Sequence, residues 1–110
     1  MSPGKPVRVM SFRVGHAPVV LVVPNTLDTF QTLVAGYIEN LNLGGGLSIW
    51  INEDGLRLRL PPNPAASELA RRPIVGDACV VRNGARGELC DLTDADLALL
   101  WSRPREQVPA

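Results

Sequence analysis

The sequence predicts a single α+β domain over residues 7–103, with an antiparallel or mixed sheet and three short helices. Three observations carry this reading. Apolar residues alternate at period two through residues 37–60, residues 18–23 are apolar at every position, and helix-start signals open stretches at about 26–35, 63–72 and 93–103.

Residues 37–60 read as a central three-stranded meander. Gly44, Gly45 and Gly46 tolerate positive φ and make a loop from Leu43 to Leu47, which sets Leu41 opposite Ile49 and Glu39 opposite Ile51. Asp54-Gly55 is a two-residue hairpin signal and sets Glu53 opposite Leu56, Ile51 opposite Leu58 and Ile49 opposite Leu60. The aliphatic partners then share one face. The other face carries Trp50, Asn52, Arg57 and Arg59. Trp50 falls across from Arg59, where an indole under a guanidinium contributes roughly 0.5–1 kcal/mol at an exposed site. This face is either solvated or an interaction surface, with a homodimer as one version. The same parity sends Glu39 and Glu53 to the apolar side at one end, with Tyr37 opposite Glu53. Carboxylates so placed need Arg or backbone donors, a wet rim, or a role in acid/base or ligand chemistry.

The remaining segments follow in order. Residues 1–6 form a tail, 7–14 alternate weakly, and 18–23 (PVVLVV) read as a central strand buried on both faces. His16 lies in the connection between them and reads as a solvated turn residue. Asn25 or Thr26 caps the first helix, whose apolar stripe is Leu27, Phe30, Leu33 and Val34 and which Gly36 closes. Gln31 lies off that stripe, within reach of the meander's entrance. Asn63 caps the second helix with Pro64 at its first position. Residues 74–82 form a strand interrupted at Gly76-Asp77, and residues 88–91 form a short one. Thr93 and Asp96 approximate a capping box for the last helix, which Pro104 ends before a frayed tail at 104–110.

Eleven basic and eleven acidic side chains balance, which argues against an electrostatic grip on nucleic acid or an anionic membrane. No apolar run reaches bilayer length and the start lacks a secretory h-region, so the expected location is cytoplasmic. Cys79 and Cys90 are then expected as reduced thiols, although their separation also permits a pair. One histidine and no CxxC spacing give no reason to expect a metal or other cofactor.

Several short pieces fit one pattern: Phe30-Gln31, Gly36-Tyr37-Ile38-Glu39, Asn52-Glu53-Asp54-Gly55, Leu60-Pro61, Asn63 and Ile74-Val75-Gly76-Asp77. Together they resemble the family catalogued as domain of unknown function 3846, over roughly residues 18–100. That family occurs in actinobacteria, other bacteria, and their phages and plasmids, so the resemblance implies an accessory protein of such genomes and no stated activity. The chain departs from the family at Pro64, where the pattern tends to have arginine. If that arginine serves a site, Arg57, Arg59 or Arg71 must replace it.

The polar members Gln31, Tyr37, Glu39, Asn52, Glu53, Asn63 and Asp77 are therefore the candidate ligand-binding residues, and Trp50, Arg57 and Arg59 the candidate interaction face. The function expected first is a small binding module with a carboxylate-containing ligand or partner site at one end of the meander. A structural or protein-interaction domain comes second. An enzyme using Glu39 and Glu53 as an acid/base pair comes last, because no nucleophile elbow, phosphate loop or metal-ligand spacing accompanies them.

Overall fold

The computed structural model describes residues 5–106 and has the α+β architecture. Six strands, β1 (Val7–Phe12), β2 (Val19–Val23), β3 (Ile38–Gly44), β4 (Leu47–Asn52), β5 (Ala78–Asn83) and β6 (Leu89–Cys90), form one antiparallel sheet in the order β2-β1-β5-β4-β3, with β6 paired to β5. The helices are α1 (Leu27–Val34), α2 (Pro64–Ala70) and α3 (Asp94–Glu106).

The sheet is buried on both sides because its middle strands are apolar in both parities. Met10, Phe12, Ile49, Ala78 and Val80 face Leu69 of α2 and Leu100 of α3. Val7, Val9, Cys79 and Val81 face Phe30 of α1. The strand buried on both faces is thus β5, and two expectations change in consequence. Residues 18–23 are an edge strand, β2, with Val19 and Val22 exposed. Residues 56–60 form no strand: β5 takes the place beside β4 that the meander assigned to them, pairing Val80 with Ile49 and Cys79 with Trp50. The apolar run 78–81 of β5 brings both of its faces into the core, whereas the alternating Leu/Arg run could supply only one.

The first hairpin keeps its expected register, Glu39 opposite Ile51 and Leu41 opposite Ile49. Its loop is tighter than expected. Gly44 pairs with Leu47 across a bulge, leaving Gly45 and Gly46, both with positive φ, as the turn.

Caps at the helix starts follow the sequence. Thr26 accepts from the Thr29 N–H and Asn63 from the Ala66 N–H, while Thr93 and Asp96 close a reciprocal capping box. α1 and α2 both end on a left-handed residue, Ala35 and Arg71. α3 runs past Pro104 to Glu106 rather than stopping there. Pro104 lacks the N–H that would bond the Leu100 carbonyl, yet the helical turn continues through it. The expected tails at 1–6 and 104–110 fall partly outside the described residues, since 1–4 and 107–110 are not among them.

Among the described residues two ion pairs link α3 to the sheet, Arg8 with the exposed Asp94 at 3.3 Å and Arg82 with the buried Asp96. The Arg82 guanidinium donates to both Asp96 carboxylate oxygens at 2.6 Å, and the Thr93 N–H donates to the same carboxylate at 2.8 Å. Hydrogen bonding to Arg82 holds the Asp96 carboxyl down at about 2, and that bond in turn raises the Arg82 pKa.

Candidate functional site

The expected site residues lie near the end of the sheet where β1 and β4 finish and β3 and β5 begin, but they do not form one cluster. Three of them hold backbone together. Asn52 is buried and donates from Nδ2 to the Val34 and Ala35 carbonyls, while its Oδ1 accepts from the Asp54 N–H at 2.7 Å. A Cβ on Gly36 would stand 2.6 Å from that Nδ2, so the glycine leaves room for the amide that ties α1 to β4. Asn63, also buried, donates to the Phe12 and Gly76 carbonyls at 2.8 and 2.9 Å in addition to capping α2. Asp77 accepts from the Val14 N–H. Each therefore supplies a hydrogen bond that a buried backbone group would otherwise lack.

Four others have side chains with no hydrogen bond or ion pair among the described residues: Gln31, Tyr37, Glu39 and Glu53. Tyr37 and Glu53 sit side by side at the sheet end, joined by a 2.8 Å hydrogen bond from the Glu53 N–H to the Tyr37 carbonyl, and both are exposed. Glu39 is half-buried on the α2/α3 side, the parity shared with Ile51, whereas Asn52 faces α1. The two glutamates are thus not a buried pair, since Glu53 has left the sheet.

After Asn52 the chain winds through residues 53–59 as successive turns. Asp54 and Gly55 carbonyls accept from the Leu58 and Leu60 N–H groups at 2.8 and 3.0 Å, and Arg57 pairs with Asp54 at 3.3 Å. The Asn52 side chain starts this winding as an Asx-turn, which is why Asp54-Gly55 does not close a two-residue hairpin. Gly55 serves a close approach instead: a Cβ there would lie 2.9 Å from Val75. The winding leaves Leu56 80% and Leu58 50% exposed, interleaved with Arg57 and Arg59. Arg59, in left-handed conformation, is not across from Trp50, so the expected stacked pair and the shared Trp50, Arg57, Arg59 sheet face are not formed.

Trp50 belongs to a different feature. Its neighbours across the sheet are Asn40 and Cys79, and its ring meets Phe30 edge-on with centroids 4.9 Å apart. α1 covers only part of this face, and beside it lies a groove of about 560 Å³ lined by Leu27, Phe30, Ile38, Trp50 and Leu89 together with Asn25, Asn40 and Asn83. The Trp50 indole N–H donates to Asn40 Oδ1 at 2.7 Å, and Asn83 Nδ2 donates to Ser48 Oγ at 2.7 Å. Those bonds orient two amides and leave the Asn40 Nδ2 as donor and the Asn83 Oδ1 as acceptor, while the Asn25 side chain has no bond among the described residues. No charged side chain lines the groove. An apolar floor with a few oriented amides is the make-up of a small-molecule site.

Sequence reasoning placed Trp50 on the correct sheet face but missed Asn25, Asn40 and Asn83. The alternation itself puts Asn40 beside Trp50. Nothing in the sequence brings residues 83–89 to them, because that depends on β5 inserting next to β4.

Among the described residues no helix is long and apolar enough to cross a membrane, and no group of three or more His, Cys, Asp or Glu is placed to hold a metal ion. Both cysteines are free: Cys90 lies opposite Arg82, and burial pushes the Cys79 thiol up to about 12. In comparison with known proteins, the chain matches the family model Domain of unknown function (DUF3846) over residues 7–104. No curated protein and no solved structure matches.

Proposed function

The chain belongs to the DUF3846 family, whose description assigns no activity, and on the geometry of this chain we propose that it is a binding module for a small, uncharged, flat heteroaromatic molecule held in the groove beside α1. The observation that carries this reading is the groove's make-up. Trp50, half-buried and backed by the buried Phe30, offers ring surface, Asn40 and Asn83 present one free donor and one free acceptor, and no charge is available to neutralise an ionic ligand. A planar ring with a donor and an acceptor on its edge, as in a nucleobase, satisfies all three. The free thiols fit a reducing compartment such as the cytoplasm, and the resemblance drawn from the sequence fits an accessory role in bacterial or phage genomes.

Thermal unfolding against uncharged heteroaromatics and their phosphorylated counterparts tests this. A ligand at a hundred times its Kd should add about 2.7 kcal/mol of stability. The uncharged members should raise the melting temperature, the phosphorylated ones less. Asn40→Asp, an exposed position that keeps an acceptor for Trp50, should abolish the shift. No stabilisation by any uncharged member overturns the proposal.

A second reading rests on a separate observation. Tyr37, Leu56 and Leu58 are exposed at 68%, 80% and 50%, with Glu53, Arg57 and Arg59 among them on a hydrogen-bonded turn. Aromatic and aliphatic side chains framed by charges are the make-up of a protein-contact patch. This is the partner-binding version of the sheet-end site, with Tyr37 and Glu53 as contacts. A partner recovered by the wild type and lost by Leu56→Lys would favour it.

A further inference from the structure

The sheet has two terminal strands, and they differ in how their open edges are protected. β3 carries Glu39, Asn40 and Asn42 and is bulged between Asn42 and Gly44, features that discourage another strand from pairing there. β2 has none of these. It is valine and leucine throughout and pairs with β1 in unbroken register from Val7/Val23 to Ser11/Val19, so its outer edge is regular. Val22 is 68% exposed and Val19 47%. A composition suited to a strand in the middle of a sheet occupies a position at its margin.

We infer that β2 pairs antiparallel with β2 of a second copy of this chain, making a twofold dimer with one continuous sheet. A strand edge offers a row of backbone N–H and C=O groups, and their complement is another strand. The strand is also self-complementary. It carries no charge to repel its own copy, and prolines at 18 and 24 bound it symmetrically, each lacking an N–H. The centred register places Leu21 against Leu21 of the second copy, Val19 against Val23 and Val20 against Val22. The exposed Val22 shares the α3 side with Val20, through the Arg8/Val22 and Met10/Val20 pairs, so in the dimer it is flanked by Val20 of the second copy. Pairing β2 with β3 of the next copy would instead propagate without closing, and the bulge and Glu39 oppose it. This interface lies at the opposite sheet margin from β3 and involves neither the groove nor the 53–59 turn.

Sedimentation equilibrium of the full chain from about 1 µM to 1 mM tests the inference, in a range that covers a weak interface of this size. The wild type should approach twice the chain mass as concentration rises. Val22→Lys, at an exposed position that leaves the fold intact by circular dichroism, should weaken association at least about ten-fold by placing two lysines in the joint. Val19→Lys gives the same readout should Val22→Lys fail to fold. Leu56→Lys should leave the dimer unchanged. A wild type that stays monomeric throughout overturns the inference. So does a dimer that survives both β2 lysines, or one that Leu56→Lys dissolves in their place.

Discussion

Replacing Asp96 by asparagine isolates the charge that fastens α3 to β5. The side chain keeps its size and an oxygen for the Thr93 N–H, while the bidentate partner of Arg82 becomes neutral. The carboxyl is held at about 2 against an ordinary 3.8. At about 1.4 kcal/mol per pH unit, this is worth about 2 kcal/mol of folding stability. Because the folded value is the lower one, the contribution is complete above pH ~4 and disappears as the pH falls through 2. Only 8% of the Asp96 side chain is exposed, so solvent screening takes little from that figure, and Arg82, 27% exposed, can recover water when its partner is neutralised. For a domain of this length the melting temperature should fall by about 10 °C at pH 6. Thermal and urea unfolding of both proteins from pH 6 to pH 2 is the assay. The gap should be full at pH 6 and close towards pH 2. Equal stability at pH 6, or a gap unchanged at pH 2, refutes the assigned role of this pair.

Asn52→Ala leaves the Val34 and Ala35 carbonyls and the Asp54 N–H without their partner and should cost about 2–3 kcal/mol in urea denaturation. Gly36→Ala should cost about 1–2 kcal/mol by pressing on that amide, and the double substitution should lose less than the two single losses combined, because shortening Asn52 relieves the clash. Strict additivity would show that the glycine serves something else. Asn63→Asp retains the cap on Ala66 but sets a carboxylate against the Phe12 and Gly76 carbonyls, so it should destabilise by about 2–3 kcal/mol in urea denaturation. In the native protein at pH 8 a thiol reagent should label Cys90 and not Cys79, which is fully buried with its thiol held at about 12, and should label both after denaturation. Rapid native labelling of two thiols would contradict the buried position of β5.

Local signals in the sequence carried far into the structure. The caps at Thr26, Asn63 and Thr93, the Glu39/Ile51 and Leu41/Ile49 pairs, and the α+β class all follow from residue chemistry within a few positions. Strand order did not follow, because it is decided by competition between distant segments. β2 and the first four residues of β5 are all apolar, and only the assembled sheet shows that β5 takes the centre and β2 the margin. That exchange also redirected residues 53–60 into turns, separated Glu53 from the apolar face and created the groove, whose walls come from residues 25–40, 50 and 83–89. The pieces that carry the family resemblance divide the same way. Gly36, Asn52, Gly55, Asn63 and Gly76 are accounted for by close approaches and buried hydrogen bonds, whereas Tyr37 and Glu53 make no side-chain bond among the described residues.

The proposed ligand site is tested most directly by following the Trp50 indole N–H and the Asn40 and Asn83 side-chain amides by two-dimensional NMR during titration with uncharged heteroaromatics. Binding in the groove should move these three signals together and saturate, leaving α2 amides unmoved. Saturable shifts confined to Tyr37, Glu53 and Leu56, or no saturable shift with any member, would contradict it.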